Sequence, residues 1–169
     1  MEFKQINAKD LQINPFTSFN NKWALLTAEK DGKINTMTIS WGGLGILWNK
    51  PVATSYVRPQ RYTKEFIDNS DYFSITFFPE TYHDKLAYCG RTSGRDEDKI
   101  AKTGFTVAHK DGIPYFEEAE TVLLVKKLFA QDMKEDSFVE KSLIPANYAS
   151  KDYHTIYIGE ILSVLTKEL

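Results

Sequence analysis

The hydrophobic residues of this chain recur mainly at every second position, which is the spacing expected of β-strands. An apolar stretch over residues 23–28 is followed by the turn pair Asp31 and Gly32, and an alternating segment then returns as far as residue 40. Asp-Gly between two such runs is a strong signal for a tight turn. The pattern therefore predicts an antiparallel β-hairpin over residues 23–40.

Other strand-like segments are rich in β-branched and aromatic residues and are bounded by polar ones. They cover residues 51–57, 71–78, 121–130 and 153–165. Between the hairpin and the first of these segments stand Gly42, Gly43 and Gly45, which weaken a strand because they carry no side chain to pack. We therefore expect the strand to break there.

Helical spacing is confined to short stretches. Residues 62–69 predict one helix, with Thr63 as its N-cap, and residues 81–89 predict another. A third is expected to begin at Ser93, in a capping box with the acid three positions later, and to end at Gly104. About six strands with a few short inserted helices are typical of a small, mainly β barrel, because closing the sheet removes its exposed edges.

The composition narrows the classes of protein to which the chain can belong. Of its 169 residues, 42% are hydrophobic and 26% are charged, enough for a full core. No internal repeat or Pro/Gly/Ser-rich linker divides it, so we expect a single domain over residues 1–169. Lys and Arg number 21 against 23 Asp and Glu, giving a net charge of -2, which argues against nucleic acid and anionic membranes as partners.

Cysteine and histidine usage also bears on location and metal binding. The single cysteine, Cys89, excludes an intramolecular disulfide and fits a reducing cytoplasm. No stretch approaches the roughly 18 consecutive apolar residues of a membrane-spanning helix. His83, His109 and His154 are far apart in the sequence and lack the spacing of metal ligands, so no metal site is predicted.

Hydroxyl side chains alternate along the returning strand of the hairpin. Thr36, Thr38 and Ser40 fall on one face, where they could contact the polar edge of a ligand. Met37 and Ile39 fall on the opposite face. The simpler interpretation is a solvent-facing strand that is rich in Thr because Thr suits β structure.

A basic corner follows the next strand, in the segment VRPQRYTKEF. Arg58, Arg61 and Lys64 lie close together where a strand ends and a helix begins, an arrangement that suits a phosphate. The alternative is a solvated basic turn.

A third segment with possible chemistry is CGRTSGRDEDK. Gly94 would let the backbone approach an oxygen-rich ligand, and Arg95 adds a positive charge. The three acidic residues that follow nearly cancel that charge, so an ordinary helix start is the alternative.

Three separated strings together carry a family resemblance: NTMTISWGGLGILWNKPVATSYVRPQRYTKEFIDN, YCGRTSGRDEDK and DYHTIYIGEI. In this order and at these separations they resemble the flavin reductase-like family of FMN-binding split barrels. The resemblance extends from about residue 23 to residue 162. It implies a six-stranded Greek-key split β-barrel with a few short inserted helices, a homodimer, and FMN bound near the subunit interface.

The same resemblance implies which residues form the site. The expected FMN-binding residues are Asn35, Thr36, Met37, Thr38, Val57, Arg58, Arg61, Tyr62, Thr63, Ser93, Gly94, Arg95 and Lys99. The residues expected near the phosphate are Arg61, Thr63, Ser93, Gly94, Arg95 and Lys99. His154 is implied as the catalytic residue beside the reactive face of the flavin, with Gly159 and Glu160 completing the last motif.

The activity implied is transfer of a hydride from NADH or NADPH to the flavin, chemistry that the cofactor itself supplies. Two alternatives remain open at this point. One is a flavoredoxin-like electron carrier that exchanges electrons with a protein partner. The other is a non-catalytic β-barrel that binds another ligand in a pocket lined by Trp23, Trp41, Trp48 and Tyr56.

Overall fold

The computed structural model describes residues 2–167. The strands are β1 (Phe3–Ile6), β2 (Ala24–Lys30), β3 (Lys33–Ile39), β4 (Gly42–Leu47), β5 (Lys50–Val57), β6 (Tyr72–Phe77), β7 (Val107–Lys110), β8 (Ile113–Phe116), β9 (Thr121–Asp132) and β10 (Thr155–Lys167). The α-helices are α1 (Pro15–Thr17), α2 (Thr63–Asp68), α3 (His83–Arg91), α4 (Lys99–Thr103) and α5 (Leu143–Asn147). A π-helical turn (Ser18–Lys22) and three 3₁₀ turns (Ala8–Asp10, Glu80–Tyr82 and Glu135–Ser137) complete the regular structure of this range.

Eight of these strands form one antiparallel sheet, in the order β3-β2-β6-β9-β10-β5-β4, with β1 also paired to β10. Strands β7 and β8 form a separate hairpin. The two ends of the sheet, β3 and β4, are consecutive in the chain and are joined by Ser40 and Trp41. The sheet therefore curls round until its ends approach each other.

The inner face of the curled sheet encloses one apolar core. Side chains alternate along each strand, so every second residue points inward, as Phe73 and Ile75 do on β6. Six strands contribute fully enclosed side chains to this core: β2, β3, β5, β6, β9 and β10. Residues of β1 and β4 pack against it from the edges. This agrees with the predicted six-stranded barrel, to which two strands are added.

A second apolar cluster covers the outer face of the sheet. It contains Leu25 and Leu124 from the strands, together with Leu86 and Cys89 of α3. The β7–β8 hairpin contributes Ile113 and Phe116 from outside. Because both faces of β2, β6 and β9 are covered here, every residue over 24–28, 73–77 and 121–125 is buried, and α3 is held against the barrel wall.

The predicted glycine of the last motif has a steric explanation. The pairing of β10 with β9 shifts in register at Gly159 and again after Ile161. A Cβ on Gly159 would lie 2.2 Å from Val125 Cγ1 and 2.8 Å from the carbonyl oxygen of Lys126. Only glycine fits at this point of close approach between the two longest strands.

Several sequence predictions are confirmed. The hairpin turns at Asp31 and Gly32, which have φ angles of 51° and 73°, and the third helix ends at Gly104 with a left-handed φ of 68°. The hairpin strand ends at Ile39, close to the expected break, but the glycines themselves belong to a strand that was not predicted: Gly42 begins β4, which pairs with β5 along its whole length. Backbone pairing there compensates for the missing side chains.

Two predicted helix starts also need correction. Thr63 does not cap α2, whose N-cap is Tyr62 without a side-chain cap bond. The helix expected from Ser93 is shorter: residues 93–97 form turns, and α4 is capped by Asp98, whose Oδ1 accepts from the N–H of Ala101 at 3.0 Å. The predicted capping box, with Ser93 as N-cap and Asp96 three residues later, was therefore wrong: the helix begins five residues further on, with Asp98 as its N-cap.

Candidate functional site

A groove lies where the two ends of the sheet approach each other. Its walls are β3 with the link that follows it and the end of β5, and its volume is about 300 Å³. The lining residues are Met37, Thr38, Ile39, Ser40, Trp41, Tyr56, Arg58, Arg61, Gly90 and His154. We call this the wide groove.

A narrower pocket of about 130 Å³ continues from it and shares Met37 and Arg61 with it. Its lining residues are Asn35, Met37, Gln60, Arg61, Tyr62, Thr63, Arg91, Thr92, Ser93, Gly94 and Lys99. We call this the narrow pocket. The two together form an elongated site with an aromatic end and a cationic end.

Two cations at the narrow pocket are held by the last turn of α3. Lys99 is only 4% exposed, and its Nζ donates to the carbonyl oxygen of Cys89 at 3.0 Å. Arg61 Nη1 donates to the carbonyl oxygen of Gly90 at 2.7 Å. The C-terminal end of a helix carries partial negative charge, which favours cations. Within residues 2–167 neither side chain forms an ion pair with a carboxylate.

Burial makes these two charges unfavourable when the protein is alone. It lowers the pKa of Lys99 to about 8, and it lowers the pKa of Arg61 as well. A buried cation is costly unless an anion compensates it, and backbone carbonyls compensate it only in part. The narrow pocket is therefore suited to bind an anionic group.

Backbone donors and a close contact complete this pocket. The N–H groups of Ser93 and Gly94 have no acceptor in the part of the chain that the structure describes. Asn35 Nδ2 donates to Thr63 Oγ1 at 2.9 Å. A Cβ on Gly94 would lie 2.2 Å from Asn35 Oδ1, so the backbone of residue 94 runs directly against that amide. These neutral groups can add hydrogen bonds to an anion without adding charge.

The wide groove is mainly aromatic and apolar. The ring of His154 lies 5.4 Å from the ring of Trp41 and 6.4 Å from that of Tyr56, measured between centroids. Burial, with a smaller contribution from the positive charge of Arg58, lowers the pKa of His154 to about 4. His154 is therefore neutral near pH 7. The groove can accept a flat, uncharged ring system beside a neutral imidazole.

The structure brings most of the predicted site residues together. Those that line the wide groove, the narrow pocket or both are Asn35, Met37, Thr38, Arg58, Arg61, Tyr62, Thr63, Ser93, Gly94, Lys99 and His154. Thr38 lines the groove, but its hydroxyl is already bonded to the carbonyl oxygen of Leu86, at 2.5 Å. That bond ties β3 to α3.

The remaining predicted residues lie away from the site. Thr36 is fully buried and bonded to Thr27, and Val57 is fully buried in the inner core. Arg95 pairs with Glu65 and lies over the ring of Tyr62 at 4.6 Å, on the outer side of the narrow pocket. Their side chains therefore contribute to packing and surface charge at these positions.

Arg58 has a different environment from the one predicted. Its guanidinium pairs with Asp152 at 2.9 Å and donates to the carbonyl oxygen of Asn147 at 3.0 Å. It also lies over the ring of Tyr148 at 5.0 Å. Arg58 thus borders the wide groove while holding the segment that leads into β10.

The sequence did not single out Gly90 of the wide groove, Tyr148 beside His154, or Gln60, Arg91 and Thr92 of the narrow pocket. Gly90, whose carbonyl oxygen holds Arg61, stands in the segment CGRTSGRDEDK, but a backbone acceptor leaves no mark on residue type. Tyr148, whose hydroxyl lies 2.7 Å from His154 Nδ1, stands in a stretch without regular hydrophobic spacing. Neither position could have been found from periodicity or charge.

Fold and site together define a curled antiparallel barrel with an aromatic groove that ends at an anion pocket. The family model of the flavin reductase like domain matches residues 16–168, and the chain belongs to that family. No curated protein matches it. No helix within residues 2–167 is long and apolar enough to cross a membrane.

Solved structures with similar folds belong to the same group of split-barrel proteins. A flavoredoxin from Methanosarcina acetivorans is 24% identical, with a TM-score of 0.68 over 95% of this chain and 77% of that one. An FMN-binding protein from Thermus thermophilus is 19% identical, with a TM-score of 0.69 over 98% and 82%. The flavin reductase of a Pseudomonas putida styrene monooxygenase is 15% identical, with a TM-score of 0.62 over 85% and 78%.

The neutral state of His154 predicts a loss of stability in mild acid. Its pKa is about 4 in the folded protein and ordinarily about 6.5, so between these values the unfolded chain binds a proton that the folded chain does not. Lowering the pH across this window should therefore cost up to about 3 kcal/mol of unfolding free energy. Urea unfolding of wild type and His154→Gln at several pH values across this window measures the loss. The same pH dependence of unfolding free energy in both proteins would contradict the low pKa of His154.

Proposed function

We propose that this protein is an FMN-binding oxidoreductase that passes a hydride from NADH or NADPH to the flavin. The observation that carries the proposal is a pair of cations, the buried Lys99 and the partly buried Arg61, at one end of an aromatic groove. A phosphorylated, flat, heteroaromatic molecule combines the two properties that this site accepts. The family and the FMN-binding protein of similar fold support the choice of FMN.

Each part of the site has residues that fit one part of FMN. Lys99, Arg61 and the free N–H groups of residues 93 and 94 would hold the phosphate. Met37 lies at the junction of the narrow pocket and the wide groove, where the linking chain of the cofactor would pass. Trp41 and Tyr56 would wall the ring system.

Bound FMN supplies the redox chemistry, since its ring accepts a hydride or single electrons. The protein is left with binding, orientation and exclusion of water. The aromatic walls at Trp41 and Tyr56 would shield a bound ring system from water, and the neutral imidazole of His154 supplies a hydrogen-bonding group without adding positive charge. No acid–base triad is required of the chain.

Removing either Lys99 or Arg61 should weaken FMN binding far more than riboflavin binding, because only FMN carries the phosphate. We expect Arg61→Met and Lys99→Met each to cost about 1.5–3 kcal/mol in FMN binding, as for a charge-assisted hydrogen bond. Flavin fluorescence titration measures both ligands. The matched control is Lys102→Met on the same helix, an exposed lysine paired with Glu97, which should bind FMN as wild type does. Equal losses for FMN and riboflavin would contradict the phosphate assignment.

The second candidate function is a flavoredoxin-like electron carrier. It is favoured by the flavoredoxins of similar fold, from Methanosarcina acetivorans and Desulfovibrio vulgaris (Miyazaki F). Such a protein would keep its FMN and exchange electrons with a protein partner instead of oxidising nicotinamide itself.

Anaerobic reduction separates the two functions. For a reductase we expect NADH or NADPH to bleach the absorbance of the bound flavin in stopped-flow mixing, at a rate that saturates with nicotinamide concentration. Dithionite, which needs no nicotinamide site, is the control for a reducible flavin. Bleaching by dithionite but only slow bleaching by both nicotinamides would move the assignment to the carrier.

We further propose a homodimer formed along the β4 edge, which borders the wide groove. This edge strand exposes Ile46, and the turn after it exposes Trp48, whose ring lies 6.3 Å from the half-exposed ring of Phe129. Adjacent exposed apolar side chains on a strand edge favour association with another chain.

A cytoplasmic location stays a prediction from the single cysteine.

Charge placed on this edge should dissociate the dimer. We expect wild type to have twice the chain mass by light scattering and Trp48→Glu to shift toward the chain mass of 19.4 kDa. The matched control is Val139→Glu, because Val139 is 98% exposed in the segment before α5. A monomeric wild type would rule out this interface.

A further inference from the structure

The segment between β9 and β10 delivers one side chain to the histidine of the groove. Tyr148, just after α5, is 6% exposed, and its hydroxyl oxygen lies 2.7 Å from Nδ1 of His154. The rings meet edge to face, with centroids 5.5 Å apart. A hydrogen bond of this length between two buried side chains restricts the rotation of the imidazole.

The phenol has one hydrogen and two neighbours that could accept it. One is His154 Nδ1 at 2.7 Å, and the other is Met133 Sδ at 3.4 Å. A bare imidazole nitrogen is a strong acceptor and a thioether sulfur is a weak one. The shorter bond to the stronger acceptor is favoured, so the hydroxyl donates to Nδ1. A neutral imidazole that accepts at Nδ1 carries its hydrogen on Nε2.

The other ring nitrogen remains open. Nε2 of His154 has no hydrogen-bond partner within residues 2–167, and it is not among the buried unpaired atoms of that range, so it is accessible. The ring lines the wide groove beside Trp41 and Tyr56. The N–H at Nε2 is thus available to a molecule in the groove.

The charged groups around this pair leave the imidazole neutral. Arg58, just after β5, lies over the Tyr148 ring and pairs with Asp152, in the irregular segment that leads to His154. The remaining ring neighbours of His154 are Trp41 and Tyr56. Protonation of Nδ1 would place a second positive charge near Arg58 and would remove the acceptor of the Tyr148 hydroxyl.

We propose that Tyr148 is a positioning residue that fixes His154 as a neutral hydrogen-bond donor, with its N–H on Nε2 directed at the ligand in the wide groove. The ligand class is a flat heteroaromatic ring with an electron-rich oxygen or nitrogen at its edge. Its identity as a flavin rests on the proposed function, whereas the tautomer of His154 does not. Arg58 holds Tyr148 in place through the segment that carries it.

Nuclear magnetic resonance of the full-length protein with isotopically labelled histidine nitrogens tests this without flavin. The chain has three histidines, and His154→Gln assigns the relevant signals. In wild type near neutral pH, Nε2 should have the chemical shift of a protonated nitrogen and Nδ1 that of a hydrogen-bonded acceptor. In Tyr148→Phe, Nδ1 should shift to the position of an unbonded acceptor or exchange between tautomers.

Control measurements separate this bond from general damage. Unchanged signals of His83 and His109 in Tyr148→Phe establish that the variant is folded. Met133→Leu removes only the competing acceptor, so the His154 signals should stay as in wild type. A protonated Nδ1 in wild type, or an Nδ1 shift that Tyr148→Phe leaves unchanged, would overturn the proposal. If wild type shows the expected Nε2–H signal but does not bind FMN, the result counts against the proposed function alone.

Discussion

The site depends on the last turn of α3, where two backbone carbonyls hold one buried and one partly buried cation. Lys99 and Arg61 come from different parts of the chain, and they donate to the carbonyl oxygens of the consecutive residues Cys89 and Gly90. The helix end partly neutralises the cations and still leaves them short of a full counter-charge. A bound anion would supply that charge, so the stability of this cluster and the binding of the anion are coupled.

The position of α3 follows from the way the sheet is covered. Leu86 and Cys89 pack into the outer apolar cluster with Leu25 and Leu124. The Thr38 hydroxyl bonds to the carbonyl oxygen of Leu86 and sets α3 directly behind β3. The neighbouring residue Met37 lies on the inner face of the same strand and lines the site. Because side chains alternate along β3, Thr38 fixes the helix that holds the cations while Met37 lines the groove.

Residue patterns predicted the fold class and most of the site, and the reasons for the misses are physical. Period-two spacing and the Asp-Gly turn carry direct information about strands. The basic corner and the family motifs located Arg61, Lys99 and His154. Thr36 and Val57 share those motifs but are internal, because a motif marks a segment and not the direction of each side chain. Strand β4 was missed because glycines can pair through their backbone, and Gly90 because its contribution is a carbonyl oxygen.

The wide groove is built from opposite ends of one sheet, and this has a consequence for folding. Its walls, β3 and β5, are close in the sequence but far apart in the strand order, with β2, β6, β9 and β10 between them in the sheet. His154 immediately precedes β10, the strand that pairs with both β5 and β9. Contacts between residues as far apart in the sequence as His154 and Trp41 slow folding. The groove takes its shape from the whole sheet, so strands that never touch the ligand still decide whether it can bind.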